Sequence, residues 1–291
     1  MKAGVFDSGI GGLSVLHEAM REHPELEYIF YADVDHVPYG TKKNEEILQY
    51  ADEIVDFLVD KGADAILIAC NTASAVAASY LRNKYDLPII AMEPAVRPAL
   101  KEEESKRILV MATPVTLREN KLKELLHREH GEERSDLLPM PGLVEFAERE
   151  EFDTEEVRRY LKQQLYGYDL REFSSIVLGC THFNYFKPLL RSVLEEMGAS
   201  HVELIDGAKG TVRRLADLMQ LEGRQLEGRQ LEERQLEERA DEMLKDEKMH
   251  FESVEKMKEY YSVSYYFSGR EASREEEEHI LRMHKQLEKA R

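Results

Sequence analysis

Ala65-Ile66-Leu67-Ile68-Ala69-Cys70-Asn71-Thr72 and Ser175-Ile176-Val177-Leu178-Gly179-Cys180-Thr181-His182 can be laid one over the other. Each is a short apolar run of the length of a buried strand, then a cysteine, then polar side chains. In open α/β sheets ligands bind beyond the carboxyl ends of the strands, which is where both cysteines fall. The pair predicts two similar doubly wound α/β lobes with parallel sheets and an interlobe active site, each lobe offering one thiol.

Working outward, Lys2–Phe6 reads as a strand that ends in the glycine-rich turn Asp7-Ser8-Gly9-Ile10-Gly11-Gly12, with a helix over Leu13–Met20. Tyr28–Ala32 is a second strand, and Asn44–Lys61 carries helical apolar spacing at Ile47, Leu48, Ala51, Ile54, Val55 and Leu58. A helix over Ala75–Lys84 and a strand over Pro88–Ala91 follow Cys70. The pattern restarts with strand Arg107–Met111, helices Thr116–Leu126 and Glu155–Tyr166, and strand Ser175–Leu178. Such alternation implies parallel sheets. The expected division is 1–95 for the first lobe, 96–205 for the second and 206–291 for a return to the first. That return carries a strand over Tyr260–Phe267, a charged helix over Ser268–Arg291 and a pentapeptide repeat at Gln220–Arg239. A five-residue period scatters Leu221, Leu226, Leu231 and Leu236 around a helix, so the repeat reads as an exposed insertion.

The chain of 291 residues has 42% hydrophobic residues and a net charge of −18. The acidic field repels nucleic acid and anionic membrane surfaces, so neither is an expected partner. No apolar run reaches the length of a membrane span, and the N-terminus lacks the apolar segment of a signal peptide. Two cysteines cannot build a disulfide scaffold or a four-thiolate metal site, which points to a reducing cytoplasm. The ten histidines show no metal-ligand spacing, so no metal is expected.

A free cysteine is often just a small buried hydrophobe. Two at equivalent strand ends, each before a helix whose N-terminal field favours thiolate, point to chemistry. The glycine turn can form an anion-binding nest, with Asp7 either capping the next helix or entering the cleft. His182 beside Cys180 can act as acid, base or thiolate partner. Val37-Pro38-Tyr39-Gly40-Thr41 is a turn by composition, and Glu145 is by default a solvated carboxylate. A Cys180 nucleophile with His182 as base would serve acyl transfer, but that leaves Cys70 without a role.

The chain resembles the glutamate racemases, within the cofactor-independent aspartate/glutamate racemase group. The resemblance rests on Phe6-Asp7-Ser8-Gly9-Ile10-Gly11-Gly12-Leu13-Ser14-Val15, Tyr31-Ala32-Asp33 with Val37-Pro38-Tyr39-Gly40, Ala69-Cys70-Asn71-Thr72-Ala73-Ser74, Met92-Glu93-Pro94-Ala95-Val96, Ala112-Thr113, Leu178-Gly179-Cys180-Thr181-His182-Phe183 and Tyr266-Phe267-Ser268-Gly269. It implies L- and D-glutamate interconverted by two thiols without a cofactor, and D-glutamate supplied for peptidoglycan synthesis. It assigns catalysis to Cys70 and Cys180, assisted by Asp7 and His182. It assigns substrate contacts to Asp7, Ser8, Pro38, Tyr39, Gly40, Asn71, Thr72, Thr113, Thr181 and His182. Aspartate is the alternative substrate, and a homodimer the expected assembly. Two departures stand out: Asn184-Tyr185-Phe186 follows Phe183 where the family usually has Pro, and Leu138-Pro139 replaces its Cys-Pro, leaving Glu145 an uncertain match to a second-lobe glutamate.

Overall fold

The computed structural model describes residues 1–103, 105–219 and 253–290; the repeat at 220–239 lies outside them. The six-stranded sheet contains β1 (Lys2–Asp7), β2 (Glu27–Ala32), β3 (Ala65–Ile68), β4 (Ile89–Ala91), β9 (Val263–Phe267) and β10 (Arg270–Glu271), in the order β10-β9-β2-β1-β3-β4. The four-stranded sheet contains β5 (Arg107–Ala112), β6 (Ser135–Pro139), β7 (Phe173–Gly179) and β8 (Glu203–Asp206), in the order β6-β5-β7-β8. All pairings are parallel except β9 with β10.

Period-2 alternation divides the first sheet into two faces. Ala3, Val5, Phe30, Leu67 and Tyr265 pack with Leu13, Leu16 and Ala19 of α1 (Leu13–Glu22) and with Ile280 and Met283 of a C-terminal helix. Phe6, Ile29, Ile66 and Ile68 pack with Ile47, Ile54 and Leu58 of α2 (Asn44–Asp60) and with Ala73 and Ala77 of α3 (Asn71–Lys84). In the second sheet, Ile108, Val110 and Val177 face Val96 and Ala99 of α4 (Val96–Glu102). The chain is therefore an α/β protein of two lobes, one with a parallel sheet and one with a sheet parallel but for its β10 edge, each with helices packed against it.

Several elements depart from the expected bounds. α3 begins at Asn71, four residues early, because the Cys70 side chain itself caps it by accepting from Ala73 N–H. The helix expected over Thr116–Leu126 is two, α5 (Pro114–Arg118) and α6 (Asn120–Arg128), broken where Glu119 is extended at φ −65°, ψ 143°. Thr113 caps α5 by accepting from Thr116 N–H. Tyr260 and Tyr261 end a helix (Val254–Tyr261) rather than opening β9, because Ser262 adopts a left-handed conformation at φ 48° and turns the chain. The last helix begins only at Arg274, behind the Ser268-Gly269 turn and β10, where Ser273 and Glu276 form a capping box. β6 and β8 carry no clear strand pattern in the sequence because both are half-polar edge strands.

In chain order the remaining helices are α7 (Pro141–Glu148), α8 (Glu155–Leu165), α9 (Lys187–Glu196), α10 (Ala208–Met219), α11 (Val254–Tyr261) and α12 (Arg274–Lys289).

Candidate active site

Cys70 follows β3 and precedes α3, so its sulfur faces the partly positive helix N-terminus. Sγ accepts from Ala73 N–H at 3.4 Å and lies 3.7 Å from Ser8 Oγ. Burial pushes the Cys70 thiol well above its ordinary range and nearby Asp7 pushes the same way; Ala73 N–H and Ser8 offset only part of this. Its surroundings therefore favour the protonated thiol.

Cys180 follows β7 and opens a 3₁₀ stretch, Thr181–Phe186, before α9. Pro188 lies in the first turn of α9, where its missing N–H costs nothing. Cys180 Sγ is 3.7 Å from His182 Nδ1, and His182 Nε2 is 2.6 Å from Glu148 Oε1 on α7. Burial alone would lower the His182 pKa. Its hydrogen bonds to Cys180 and Glu148 outweigh burial and carry it well above the ordinary range. An imidazolium there places a positive charge beside the Cys180 sulfur.

Asp7 joins the two sides and is fully buried. Its Oδ1 accepts from Ser8 N–H at 2.7 Å, and its Oδ2 accepts from Thr181 Oγ1 at 2.8 Å, across the lobes. Asp7 does not cap α1, which has no side-chain cap; its carboxylate instead bridges Ser8 and Thr181. Gly11 is required by close approach: a Cβ there would lie 2.5 Å from His182 Nδ1 and from Thr181 Oγ1.

A second polar group spans the lobes on the α3 side. Thr72 Oγ1 is 2.9 Å from Thr113 Oγ1 and 3.2 Å from Thr116 Oγ1. Gly40 lies against Thr113, where a Cβ would come within 2.7 Å of Thr113 Cβ. Half-buried Pro38 follows a cis bond, and the buried Tyr39 hydroxyl donates to Asp33 at 2.5 Å. Asn71 Nδ2 contacts Met92 Sδ at 3.5 Å, while its buried Oδ1 has no hydrogen-bond partner among the described residues. That oxygen is an acceptor whose capacity the described residues leave unused.

Hydrogen bonds thus join Cys70, Ser8, Asp7 and Thr181 in one chain and Cys180, His182 and Glu148 in a second, the two meeting at the consecutive residues Cys180, Thr181 and His182, while Thr72, Thr113 and Gly40 form a third group. Glu145 is exposed. The second-lobe carboxylate at the site is Glu148, which also accepts from Ile10 N–H at 3.3 Å. Sequence reasoning missed it because one acidic residue among 58 carries no mark of its own. Only the fold of α7 against the 3₁₀ stretch reveals it. Among the described residues no cluster of three His, Cys, Asp or Glu side chains has metal-ligand geometry.

The Asp/Glu/hydantoin racemase family profile matches residues 8–215. The chain is 43% identical to a glutamate racemase of Lachnospira eligens, covering 100% of this chain and 99% of the relative. It is 50% identical to a glutamate racemase of Campylobacter curvus, over 74% of this chain and 82% of that one. The crystal structure of Escherichia coli glutamate racemase in complex with L-glutamate and the activator UDP-MurNAc-Ala aligns with TM-score 0.66 and 32% identity, covering 75% of this chain and 82% of that one.

Proposed function

The chain belongs to the Asp/Glu/hydantoin racemase family, and from that premise we propose that it interconverts L- and D-glutamate by proton transfer between Cys70 and Cys180. It is an amino-acid racemase, an isomerase. Glutamate is favoured over aspartate because the curated relatives at 43–50% identity are named glutamate racemases. The observation that carries the mechanism is the hydrogen-bonded path Cys70–Ser8–Asp7–Thr181, which joins the two thiol-bearing strand ends across the lobes.

With L-glutamate, the Cys180 thiolate takes the α-proton and becomes a thiol, leaving the electron pair on Cα. The Cys70 thiol then delivers its proton to the opposite face and becomes the thiolate. D-glutamate runs the same steps in reverse. The surroundings of the two thiols suit the first direction, with burial favouring the Cys70 proton and Cys180 facing a His182 whose pKa is raised. Glu148 holds the imidazole ring in place. Asp7 and Ser8 set the height and charge around Cys70. The polar groups of Asn71, Thr72, Thr113 and Thr181, with Pro38, Tyr39 and Gly40 closing the wall, form the substrate cradle. Preorganised donors are worth most in such a water-poor site, where charge develops on the carboxylate-bearing carbon.

We assign residues 1–95 and 206–291 to one lobe and 96–205 to the other, supported by β9 lying in the first sheet. D-glutamate for peptidoglycan synthesis, a cytoplasmic site of action and a homodimer complete the proposal. The two free, buried cysteines support a reducing compartment. No helix among the described residues is long and apolar enough to cross a membrane. Sedimentation velocity tests the dimer.

The direct test incubates purified protein with L-glutamate in D₂O without added cofactor. The optical rotation should decay to zero with one deuterium per α-carbon; retained rotation and an undeuterated α-carbon would overturn the proposal. Faster turnover of aspartate than glutamate, compared as kcat/KM, would reassign the substrate.

A further inference from the structure

Met92 follows β4 as the chain leaves the first lobe, and the reaction above gives it no role. Its backbone N–H donates to Ile68 O at 3.1 Å, which ties it to the strand that precedes Cys70. Its side chain is buried, and its Sδ accepts from Asn71 Nδ2 at 3.5 Å. The far end of the thioether is confined as well. At Gly207, just after β8, a Cβ would come within 3.3 Å of Met92 Cε and 2.6 Å of Glu93 O. Met92 therefore packs where the chain passes between the sheets in both directions, and it also holds a residue of the substrate cradle.

That contact is directional. A thioether sulfur accepts a hydrogen bond and has no proton to give. The asparagine amide has donors at one end and an acceptor at the other, and the two ends are nearly the same shape. Packing alone would accommodate Asn71 either way round. Sulfur against Nδ2 makes a hydrogen bond, whereas sulfur against Oδ1 would set two acceptors against each other. Met92 thus selects the orientation that leaves Oδ1 over, and that oxygen is buried without a hydrogen-bond partner among the described residues. A buried acceptor left unpaired is costly, and a donor on a ligand would relieve it. On a dicarboxylic amino acid with both carboxylates ionised, the only donor is the α-ammonium group.

Building on the racemase reading, on which this rests, we propose that Met92 is a positioning residue: its sulfur orients the Asn71 amide so that Oδ1 receives the α-ammonium group of the substrate. Asn71 stands between Cys70 and Thr72 in the chain. An ammonium group held there is anchored one residue from the Cys70 thiol.

The experiment is a double-variant cycle on the full chain with Met92→Leu and Asn71→Ala, each fold checked by thermal melting. Leucine keeps the volume of methionine and removes the acceptor. Met92→Ile, which also lacks an acceptor, replaces it if Met92→Leu melts early. Racemisation of L-glutamate is followed by circular dichroism to give kcat and KM separately. Met92→Leu should raise KM about fivefold, the loss of one hydrogen bond, with kcat held within about twofold. Added to Asn71→Ala, the same change should move KM by less than about twofold, because the amide it orients is gone. An unchanged KM in Met92→Leu would overturn the proposal. So would a fall in kcat at constant KM, which would mark Met92 as packing between the lobes, or a fivefold effect that persists without the Asn71 amide. A parent chain that exchanges no α-deuterium into glutamate or aspartate in D₂O would overturn the racemase reading and the role of Met92 with it. Any of the three earlier results in an active parent overturns the role of Met92 alone.

Discussion

The two cysteines occupy matching places in their lobes, yet their surroundings are built by different means. Cys70 meets fixed backbone: it caps a regular α-helix, takes an N–H from Ala73 and has only the neutral Ser8 hydroxyl between itself and Asp7. Cys180 meets a side-chain relay: the helix after it is postponed by a 3₁₀ stretch, which turns His182 back toward the sulfur and out to Glu148. Equivalent strand ends can thus place one thiol against a helix N-terminus and the other against an imidazole whose pKa is raised. A proton acceptor and a proton donor on opposite faces are what inversion requires.

The largest effects should come from removing the thiols singly. Cys70→Ala and Cys180→Ala should each lower racemisation by about a thousandfold or more. Their residual chemistry should differ: Cys70→Ala still washes deuterium into L-glutamate without inverting it, and Cys180→Ala does the same for D-glutamate. Proton NMR in D₂O reads both, and exchange of both enantiomers by either variant would break the comparison.

Glu148→Gln keeps a hydrogen bond but deletes the charge that helps hold the His182 pKa up. We expect kcat to fall by about a hundredfold. Because the raised pKa keeps His182 protonated into alkaline solution, its loss should move the alkaline limb of the kcat/KM profile toward lower pH. An unmoved limb would remove His182–Glu148 from the argument. Ser8→Ala, on the quieter Cys70 side, should cost about 1 kcal/mol, near fivefold. Enantiomers have equal free energies, so kcat/KM must fall equally in both directions for every variant. The asymmetry between the sides appears only in the separate kcat and KM values and in the α-deuterium isotope effects.

Stability effects are smaller. Gly11→Ala forces a Cβ onto His182 and Thr181 and should destabilise by about 1–3 kcal/mol, read as a lowered urea midpoint. Away from the site, His17 Nδ1 and His284 Nδ1 meet at 2.8 Å between α1 and α12. Burial, and then His17, hold the His284 pKa well below its ordinary range. The unfolded chain takes up a proton near pH 6.5 that the folded ring refuses. Stability should therefore fall as pH drops through that region, by at most about 1.4 kcal/mol per unit. Urea melts at pH 7.5 and 5.5 measure this, and His284→Gln should flatten the difference.

The strands that carry the cysteines could be read from sequence because fully buried parallel strands hold unbroken apolar runs, as at Ala65–Ile68 and at Ile176–Gly179 of β7. The edge strands Ser135–Pro139 and Glu203–Asp206 could not, since half-exposed pairing leaves a mixed pattern. The same limit governs the site. Cys70, Cys180, Asp7 and His182 stand in local motifs beside glycine turns, whereas Glu148 becomes meaningful only when α7 folds across to meet His182. The pairing of Thr72 with Thr113 is likewise a product of two lobes meeting, though each residue sits at a readable helix start.

The position of β9 also sets an order of assembly. The four-stranded sheet draws all its strands from one uninterrupted stretch, Arg107–Asp206, while the first sheet waits for Val263–Phe267 to slot in beside β2. During synthesis the later-coded half can close as soon as it emerges, and the earlier-coded half must hold an open flank until Val263–Phe267 has left the ribosome. Truncation before Val263 should therefore spare one half and leave the other with an unpaired, aggregation-prone border along Glu27–Ala32.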